Sequence, residues 1–478
     1  MQSSRAADGH GVAAAYAAPV VPTVLLLASV NVVQGVYARD YGLSLTSISG
    51  VLLIAGLFDA VTDPAIGYFS DRRRAKTGSR RGFIVAGTIF FPISAYFFFV
   101  PVGEPTAAYF LVCYLTFFFS LTLFQIPHLA VGGETAASPE QRTRIFSYRT
   151  FAGYLGFMAF AAIPILPLTA TSQVTPQTLK LTVAAAALLL APSMMLFLRR
   201  VPAQADRAVT PTQEHPLRAI RSLVANAPFV LFIGGFTLYG LSTGLGWALI
   251  FVVIDSYMGQ GGAYAYLYLL HLVVACASVM FGARVIRRLG KKRTLFVAVG
   301  LSAAAYMIWP VGLAAPPVGL GAAALFMLLM GPASALGNVA AVALLADIAD
   351  YESWRSRRDR MAASYGVMNL GLKTTSTIGA ATAFAIAGGF GFDPSSGDQP
   401  ASVFWGLCIA MSAAPAVLCL AAIVIISRIR LTEQRHAIVR KRLDDLSRRR
   451  GGGGRQVDSN QTQKERPQSG LCERSMQS

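Results

Sequence analysis

Charged residues are scarce in this chain. Asp, Glu, Lys and Arg make up 13% of its 478 residues, whereas soluble globular proteins contain about 25%. Apolar residues make up 54%, and the mean hydropathy is +0.53. Because about 20 apolar residues form one membrane-crossing helix, the chain has room for about a dozen crossings. The composition therefore argues against a soluble enzyme and predicts a polytopic membrane protein.

Cysteine and the motifs of enzyme chemistry are also scarce. The five cysteines are an odd number, and all but Cys472 lie within apolar runs, which is typical of small core residues rather than of disulfides. The sequence contains no nucleophile elbow, no phosphate-binding loop of the Gly-x4-Gly-Lys-Ser/Thr type and no metal-ligand cluster at helical spacing. We therefore expect neither an enzyme, nor an ATP-driven pump, nor a resident cofactor.

Apolar stretches of spanning length recur twelve times, in two sets of six. They lie at about 15–36, 47–69, 82–101, 107–131, 149–168 and 180–198, and then at about 228–253, 263–286, 294–314, 318–346, 362–390 and 402–427. The pattern predicts an all-α membrane protein with twelve transmembrane helices in two pseudo-symmetric six-helix bundles. We expect five parts: an N-terminal tail (1–14), a first bundle (15–199), a linker (200–226), a second bundle (227–427) and a basic, largely disordered tail (428–478).

The basic residues predict the orientation of the chain. If the chain crosses twelve times, every Lys and Arg except Arg39, Lys180 and Lys373 falls on one side. Lys and Arg are retained on the cytoplasmic side during insertion, so both termini should be cytoplasmic in a cell (inner) membrane protein. This placement also accounts for the net charge of +18 without a nucleic-acid partner.

The two halves resemble each other at an offset of about 213 residues, as in transporters built from repeats. Glu134 with Arg144 in the first half corresponds to Asp347 with Arg357 in the second. The basic loops have a simple interpretation as topology determinants. A second interpretation is a gate, in which ion pairs form across the halves and break again; its candidates are Asp71, Glu134, Arg142, Asp347 and Asp350.

A pair of carboxylates lies inside the second apolar stretch. Asp59 and Asp63 are four residues apart, which places them on one helix face about one turn from each other. Two such charges in a medium of low dielectric constant share a proton or bind a cation, and the Thr62 hydroxyl is a candidate further oxygen ligand. The structural alternative is a salt bridge to a neighbouring helix, with Lys373 as the candidate partner.

Three polar residues are candidates for substrate binding. Lys373 is the one basic residue deep in a predicted span, where it would balance the aspartates or contact an anionic or hydroxylated substrate; the alternative is a side chain that reaches back to the membrane surface. Gln125 lies in the fourth span and Arg149 is expected to open the fifth. Both are placed to face a central cavity, where buried polar groups need partners.

Several segments resemble the glycoside-pentoside-hexuronide cation symporters of the major facilitator superfamily, the group that includes melibiose permease. The likeness lies in Asp59-x3-Asp63-Pro64, in the Arg80-Arg81-Gly82 segment, in the stretch from Glu134 to Arg149 and in residues 346–351, and it extends over about 20–427. The resemblance implies alternating access and co-transport of a solute with Na⁺ or H⁺. It also implies a coupling-ion site at Asp59, Thr62 and Asp63, with Arg149 at the substrate and Lys373 nearby.

The sequence departs from the sugar-transporting members of that family at several positions. Gln125 stands where they have an aspartate, and Leu129 and Val342 stand where they have tryptophans. The acidic residue of their first helix is absent near Thr23, which favours protons over sodium. We therefore expect a symporter of a small organic solute that acts as a monomer among membrane lipids, with a lysophospholipid or similar lipid as the alternative cargo. A non-transporting sensor or scaffold that signals through the basic tail is the second alternative.

Overall fold

The structure, a computed structural model, describes residues 2–136, 138–169, 171–202, 223–356 and 361–429, together with Ile438 and Arg442. All regular secondary structure within these residues is helical. Most of the predicted linker at 200–226 and of the predicted tail at 428–478 lies outside the described residues, as does Arg357. The assignments made for those segments stay predictions.

The first half of the chain makes six helical passes in the described residues. The first pass consists of two helices that meet at Ala18 and Pro19, and five long helices follow. Their bounds are α1 Gln2–Ala17, α2 Val20–Tyr41, α3 Leu45–Thr77, α4 Arg81–Phe99, α5 Ala107–Thr135, α6 Pro139–Ala162 with a 3₁₀ turn at Ile163–Ile165, and α7 Pro176–Arg200.

The second half also makes six passes in the described residues, three of them interrupted. Their bounds are α8 Ala227–Ala248, continued by α9 Ile250–Val252 and a π-helical turn at Val253–Tyr257; α10 Tyr264–Leu289 after a 3₁₀ turn at Gly261–Ala263; α11 Lys291–Tyr306 with α12 Trp309–Ala314; α13 Pro316–Ser356; α14 Met361–Gly389; and α15 Ala401–Cys408, a π-helical turn at Ile409–Ala413 and α16 Ala414–Ser427.

Local sequence signals account for the helix ends. Gly42 ends α2 and Gly78 ends α3 with φ of 68° and 72°, a left-handed conformation that glycine adopts without a steric penalty. The Ser44 hydroxyl accepts a hydrogen bond from the Ser47 amide at the start of α3. The Thr175 and Thr178 side chains form a reciprocal capping box at the start of α7.

Several helices are longer than the predicted apolar spans. α3 has 33 residues and α13 has 41, which correspond to about 50 Å and 60 Å at about 1.5 Å per residue, more than the hydrocarbon core of about 30 Å. The predicted span at 47–69 places the residues from Asp71 to Thr77 in a loop, but in the structure they belong to α3. A charged sequence can continue a helix once it has left the apolar layer, because its backbone bonds stay satisfied.

The prediction that Arg149 opens the fifth helix is wrong as well. α6 begins at Pro139, with the Ser138 side chain as its N-terminal cap, so Arg149 lies almost three turns inside the helix. The predicted tail at 1–14 is helical from Gln2 onward. The error for Arg149 has a physical cause, because an apolar run marks the part of a helix that meets lipid and leaves its polar turns unmarked.

Ten helical segments of the described chain are long and apolar enough to cross a membrane. The two passes that do not meet this criterion are α6 and α14, which carry Arg149 and Lys373. Polar residues lower the apolar character of both helices. Their polar side chains need partners from neighbouring helices, and the space between the two halves is where such partners are expected.

Contacts between the halves place α14 beside α3, and α2 beside the segment that continues α8. Gly56 of α3 lies against Thr377 of α14, and Gly35 of α2 lies against the side chains of Phe251 and Val252. The buried core is continuous across this junction. The halves therefore meet through close helix packing around the polar residues in the middle of the membrane domain.

Candidate functional site

The carboxylates of Asp59 and Asp63 share one ammonium group. Lys373 Nζ lies 3.0 Å from Asp59 Oδ2 and 2.8 Å from Asp63 Oδ2. Both aspartates belong to α3 in the first half, and Lys373 belongs to α14 in the second half. The salt-bridge alternative raised for this pair thus describes the geometry of the structure, and the bridge links the two halves directly.

The remaining carboxylate oxygens differ in their partners. Asp63 Oδ1 accepts a hydrogen bond of 2.9 Å from the Thr122 hydroxyl on α5. Asp59 Oδ1 is buried and has no hydrogen-bond partner. Two carboxylates and one ammonium leave a net charge of −1, and a buried acceptor without a partner costs about 1–3 kcal/mol. The cluster therefore has both the charge and the free oxygen to receive one monovalent cation.

Thr62 lies between the two aspartates in sequence but turns its hydroxyl elsewhere. This hydroxyl donates a 3.0 Å hydrogen bond to the Phe58 carbonyl of its own helix. The side chain also lines a different cavity, on the side of α3 next to Phe69 and Phe119. Its assignment to the coupling ion stays a prediction. A hydroxyl that does contact Asp63 is that of Thr122.

A cavity of about 400 Å³ lies between the two halves next to Lys373. Residues of α2, α3, α5 and α6 line it on one side, and residues of α8 and α14 on the other. Its polar and aromatic lining consists of Asn31, Gln34, Tyr114, Phe118, Phe157, Thr243, Trp247, Lys373, Ser376, Thr377 and Phe384. The volume falls in the range of small-molecule sites, and amide, hydroxyl and aromatic groups are the means by which such sites hold polar solutes.

Lys373 connects this cavity with the carboxylates. Its side chain lines the cavity, lies 5.9 Å from the centroid of the Phe118 ring and is 34% exposed. Asp59 is buried and does not belong to the cavity lining that the structure describes. A change in the pairing of Lys373 therefore alters the charge that a solute in the cavity meets.

Gln125 and Arg149 lie apart from this cavity. Neither belongs to its described lining. Arg149 lies beside Tyr16, and its Nε atom is buried without a hydrogen-bond partner. Tyr16 in turn donates a 3.1 Å hydrogen bond to the His128 carbonyl and stacks on the His128 ring, with centroids 4.3 Å apart. Substrate contact by Gln125 and Arg149 stays a prediction.

The gate candidates of the first half pair within that half. Glu134 Oε1 lies 2.7 Å from Arg74 Nη1 and 3.2 Å from Arg80 Nη2, and Arg80 also pairs with Asp71. Arg142 is exposed, and its guanidinium lies close to Gly133. Asp71 thus pairs within its own half and not across the halves as predicted. The gate role stays a prediction for another conformation.

The second half repeats this arrangement. Asp347 Oδ1 lies 2.6 Å from Lys291 Nζ, and Asp350 lies on the same helix near Tyr365. Glu134 and Asp347 are the pair that the internal repeat matches. Glu134 pairs with Arg80, and Asp347 pairs with Lys291. Both basic residues lie at the start of the third pass of their own half. The weak sequence repeat thus has a counterpart in three dimensions.

An ion pair between the halves lies on the side opposite the basic loops. Arg39 Nη1 of α2 lies 2.6 Å from Asp255 Oδ2, in the segment that continues α8. The guanidinium also pairs with Asp40 and donates a 2.9 Å hydrogen bond to the Val174 carbonyl. Asp255 is 9% exposed. This cluster links α2, the segment just before α7 and the second half.

Sequence reasoning missed several of these residues, although signals for some were present. Arg39 was one of only three basic residues outside the predicted inner side. Asn31 and Gln34 are polar residues within the apolar run of α2, and Trp247 is one of only four tryptophans. Thr122 gave no signal, because a threonine in a membrane helix usually bonds to its own backbone.

Comparison with known proteins gives the same fold. The family model for MFS/sugar transport proteins matches residues 9–433. The uncharacterised symporter YjmB of Bacillus subtilis (strain 168) is 22% identical over 404 residues, covering 83% of this chain and 86% of that protein.

Two solved structures extend the comparison. A variant of the nucleoside transporter NupG superposes with a TM-score of 0.66 at 14% identity, covering 87% of this chain and 98% of that one. A D-xylose-proton symporter superposes with a TM-score of 0.63 at 13% identity, covering 90% and 98%. The prediction of an all-α membrane protein with the major facilitator fold is confirmed.

Proposed function

This chain belongs to the MFS/sugar transport protein family, a family of multi-pass membrane transporters and not of enzymes, and we propose that it is a cation-coupled symporter. In this proposal it carries a small organic solute together with H⁺ or Na⁺ by alternating access, in the manner of the melibiose permease-like symporters that its sequence resembles. The observation that carries the proposal is the cluster of Asp59, Asp63 and Lys373 between the two halves.

Charge balance gives the cluster its role. With Lys373 between two carboxylates, the site keeps one negative charge and the unpartnered Asp59 Oδ1 atom. A proton on that oxygen, or a sodium ion against both carboxylates, neutralises the charge and weakens the hold on Lys373. Because Lys373 joins the second half to the first, cation binding weakens a link between the halves. Cation occupancy is thereby coupled to the movement of the two halves.

The choice of ion follows from the number of oxygen ligands. Sodium would need further hydroxyl, carbonyl or water oxygens beyond the two carboxylates, whereas a proton needs one oxygen. This favours H⁺, and Na⁺ is the second choice that the experiment below separates.

The central cavity supports a polar solute. Its amide and hydroxyl groups suit a solute with several hydroxyls, and Trp247 offers a flat apolar face. Lys373, once released, adds a positive charge that a carboxylate on the solute would match. The sugar reference in the family description agrees with a glycoside, pentoside or uronide as the solute class, and the symporter name of YjmB agrees with coupling to an ion.

The experiment is uptake into proteoliposomes containing the purified full-length chain. A labelled panel of glycosides, pentosides, uronides and lysophospholipids is offered under an imposed proton or sodium gradient. Wild-type protein should accumulate one class against its gradient, by up to about 50-fold for one charge at about 100 mV. Asp63→Asn should abolish accumulation and leave downhill exchange, because the neutral site no longer attracts a cation.

Asp398→Asn is the matched control, since it makes the same chemical change at an exposed residue between α14 and α15. Cation-driven accumulation that survives in Asp63→Asn would refute the coupling site. Accumulation of a lysophospholipid alone would establish the lipid cargo. No transport of any panel member by correctly folded protein would contradict the symporter proposal and leave the sensor or scaffold.

A further inference from the structure

A second cavity, of about 580 Å³, lies beside α3, and Lys373 is not part of its described lining. Residues of α3 and α5 form its apolar wall, among them Ile66, Phe69, Phe119 and Leu123. Its other end carries three basic side chains of α3, Arg72, Arg73 and Lys76. One groove thus joins an apolar wall to a cluster of positive charges.

The basic residues at the end of α3 divide into two sets. Arg74 is buried, turns inward and pairs with Glu134. Arg72, Arg73 and Lys76 are exposed. Within the described residues these three have no ion pair, although the Arg73 guanidinium lies 6.0 Å from the centroid of the Phe83 ring. The groove therefore holds three positive charges that the described residues do not neutralise.

The depth of the groove in the membrane follows from helix geometry. Arg72 lies nine residues after Asp63 on the same helix, which is about 13 Å at about 1.5 Å per residue. Half of the hydrocarbon core is about 15 Å thick. With the two aspartates near the middle of the membrane, the basic end lies at the level of the lipid headgroups and the apolar wall runs toward the membrane centre.

We propose that this groove binds one anionic phospholipid. The phosphate lies against Arg72, Arg73 and Lys76, and an acyl chain lies along the wall that includes Phe69 and Phe119. Basic side chains at headgroup depth attract anionic lipids, and the length of the apolar wall favours a ligand with a hydrocarbon tail over a soluble phosphate. This inference is independent of the proposed symport, because the groove and the central cavity have separate linings.

The test is native mass spectrometry of the full-length protein in detergent, titrated with phosphatidylglycerol or phosphatidylethanolamine. Wild-type protein should bind one phosphatidylglycerol about a hundredfold more tightly than the variant Arg72→Gln/Arg73→Gln/Lys76→Gln, since each of the three basic side chains near an anionic surface contributes a factor of about five. Phosphatidylethanolamine should show little dependence on these residues.

The internal repeat supplies a matched control. Arg284→Gln/Arg287→Gln/Arg288→Gln removes the same charge from the corresponding end of α10 in the second half, which does not line this groove. It should leave the phosphatidylglycerol affinity unchanged. Equal losses in both triple variants, or no loss in either, would overturn the proposal.

Two further measurements test the groove itself. Leu123→Trp fills the apolar wall and keeps every charge, so it should weaken phosphatidylglycerol binding; this variant also serves if the triple variant does not fold. Glycerol phosphate should fail to displace the lipid at equal concentration. Displacement at equal concentration, or full binding by the Leu123→Trp variant, would overturn a site for the whole lipid.

Discussion

Asp63 is held by two partners from different parts of the chain, Lys373 and Thr122. The ammonium partner comes from the other half of the protein, whereas the hydroxyl partner comes from the same half. A hydrogen bond from a fixed hydroxyl orients the carboxylate toward the position that a cation would occupy. Of the two contacts, the hydroxyl can be removed without a change in net charge or side-chain size.

Thr122→Val should therefore shift the response to the coupling cation without stopping transport. Loss of one hydrogen bond to a charged group corresponds to about 1.5–3 kcal/mol, so we expect the cation concentration for half-maximal uptake to change by about tenfold or more. It should fall for H⁺, because the carboxylate loses a donor that stabilises its ionised form, and rise for Na⁺, because the carboxylate is no longer held in one orientation. The measurement is the cation dependence of uptake in proteoliposomes. Thr116→Val is the control, because its hydroxyl bonds to the Val112 carbonyl one turn earlier on α5.

An unchanged cation dependence in Thr122→Val would show that the hydroxyl does not orient Asp63. A similar shift in Thr116→Val would point to a general effect on α5. These outcomes leave the role of Lys373 untouched, since its two ion pairs involve the other carboxylate oxygens. The proposed role of Thr122 can therefore be refuted without refuting the proposed coupling site.

Among the helices, α6 and α14 carry the polar residues that lower their apolar character. The charge of Lys373 on α14 is balanced by an aspartate of α3, a helix of the other half. A polar residue inside the membrane needs such a partner, so the pairing favours packing between these two helices. The same reasoning applies to α2 at its far end. There Arg39 reaches Asp255 across the junction.

Arg39→Gln should loosen the halves on the side opposite the basic loops. In a background without native cysteines, the thiol of Asn31→Cys in the central cavity should react faster with a membrane-impermeant reagent applied from that side. We expect about a tenfold increase, because a partly buried ion pair with good geometry contributes on the order of 1–2 kcal/mol.

The charge reversal Arg39→Asp/Asp255→Arg should restore slow labelling, whereas Lys180→Gln removes an exposed charge on the same side and should change nothing. Equal labelling in Arg39→Gln and wild type would contradict a closing role for the pair. Fast labelling in the reversed pair would indicate that the contacts to Asp40 and Val174 matter more than the charge pair.

At the scale of the whole molecule, an even number of passes places both ends on the same side of the membrane. The six passes of each half are followed by basic segments, and Lys and Arg favour the cytoplasmic side. We therefore predict that a reporter active only in the cytoplasm is active when fused after Ser427, and inactive when fused in the segment between α14 and α15, near Asp398. The reverse pattern would contradict the orientation.

Much of the fold could be predicted from the sequence. The number of passes, the two halves and their repeat follow from apolar runs and basic loops, because the membrane requires every pass to bury its backbone polar groups in a helix. The aspartate pair on α3 and the isolated Lys373 could also be predicted, since ionisable residues inside a membrane are rare and need partners.

The tertiary structure decided which partner each of these residues has. It joined Lys373 to both aspartates, added Thr122, left Asp59 Oδ1 without a partner and turned the Thr62 hydroxyl to the Phe58 carbonyl of its own helix. It also placed Arg39 on Asp255. A sequence records where polar groups lie along each helix, whereas their pairing depends on the rotation and depth of helices that are distant in the chain. Those are fixed by packing between the halves.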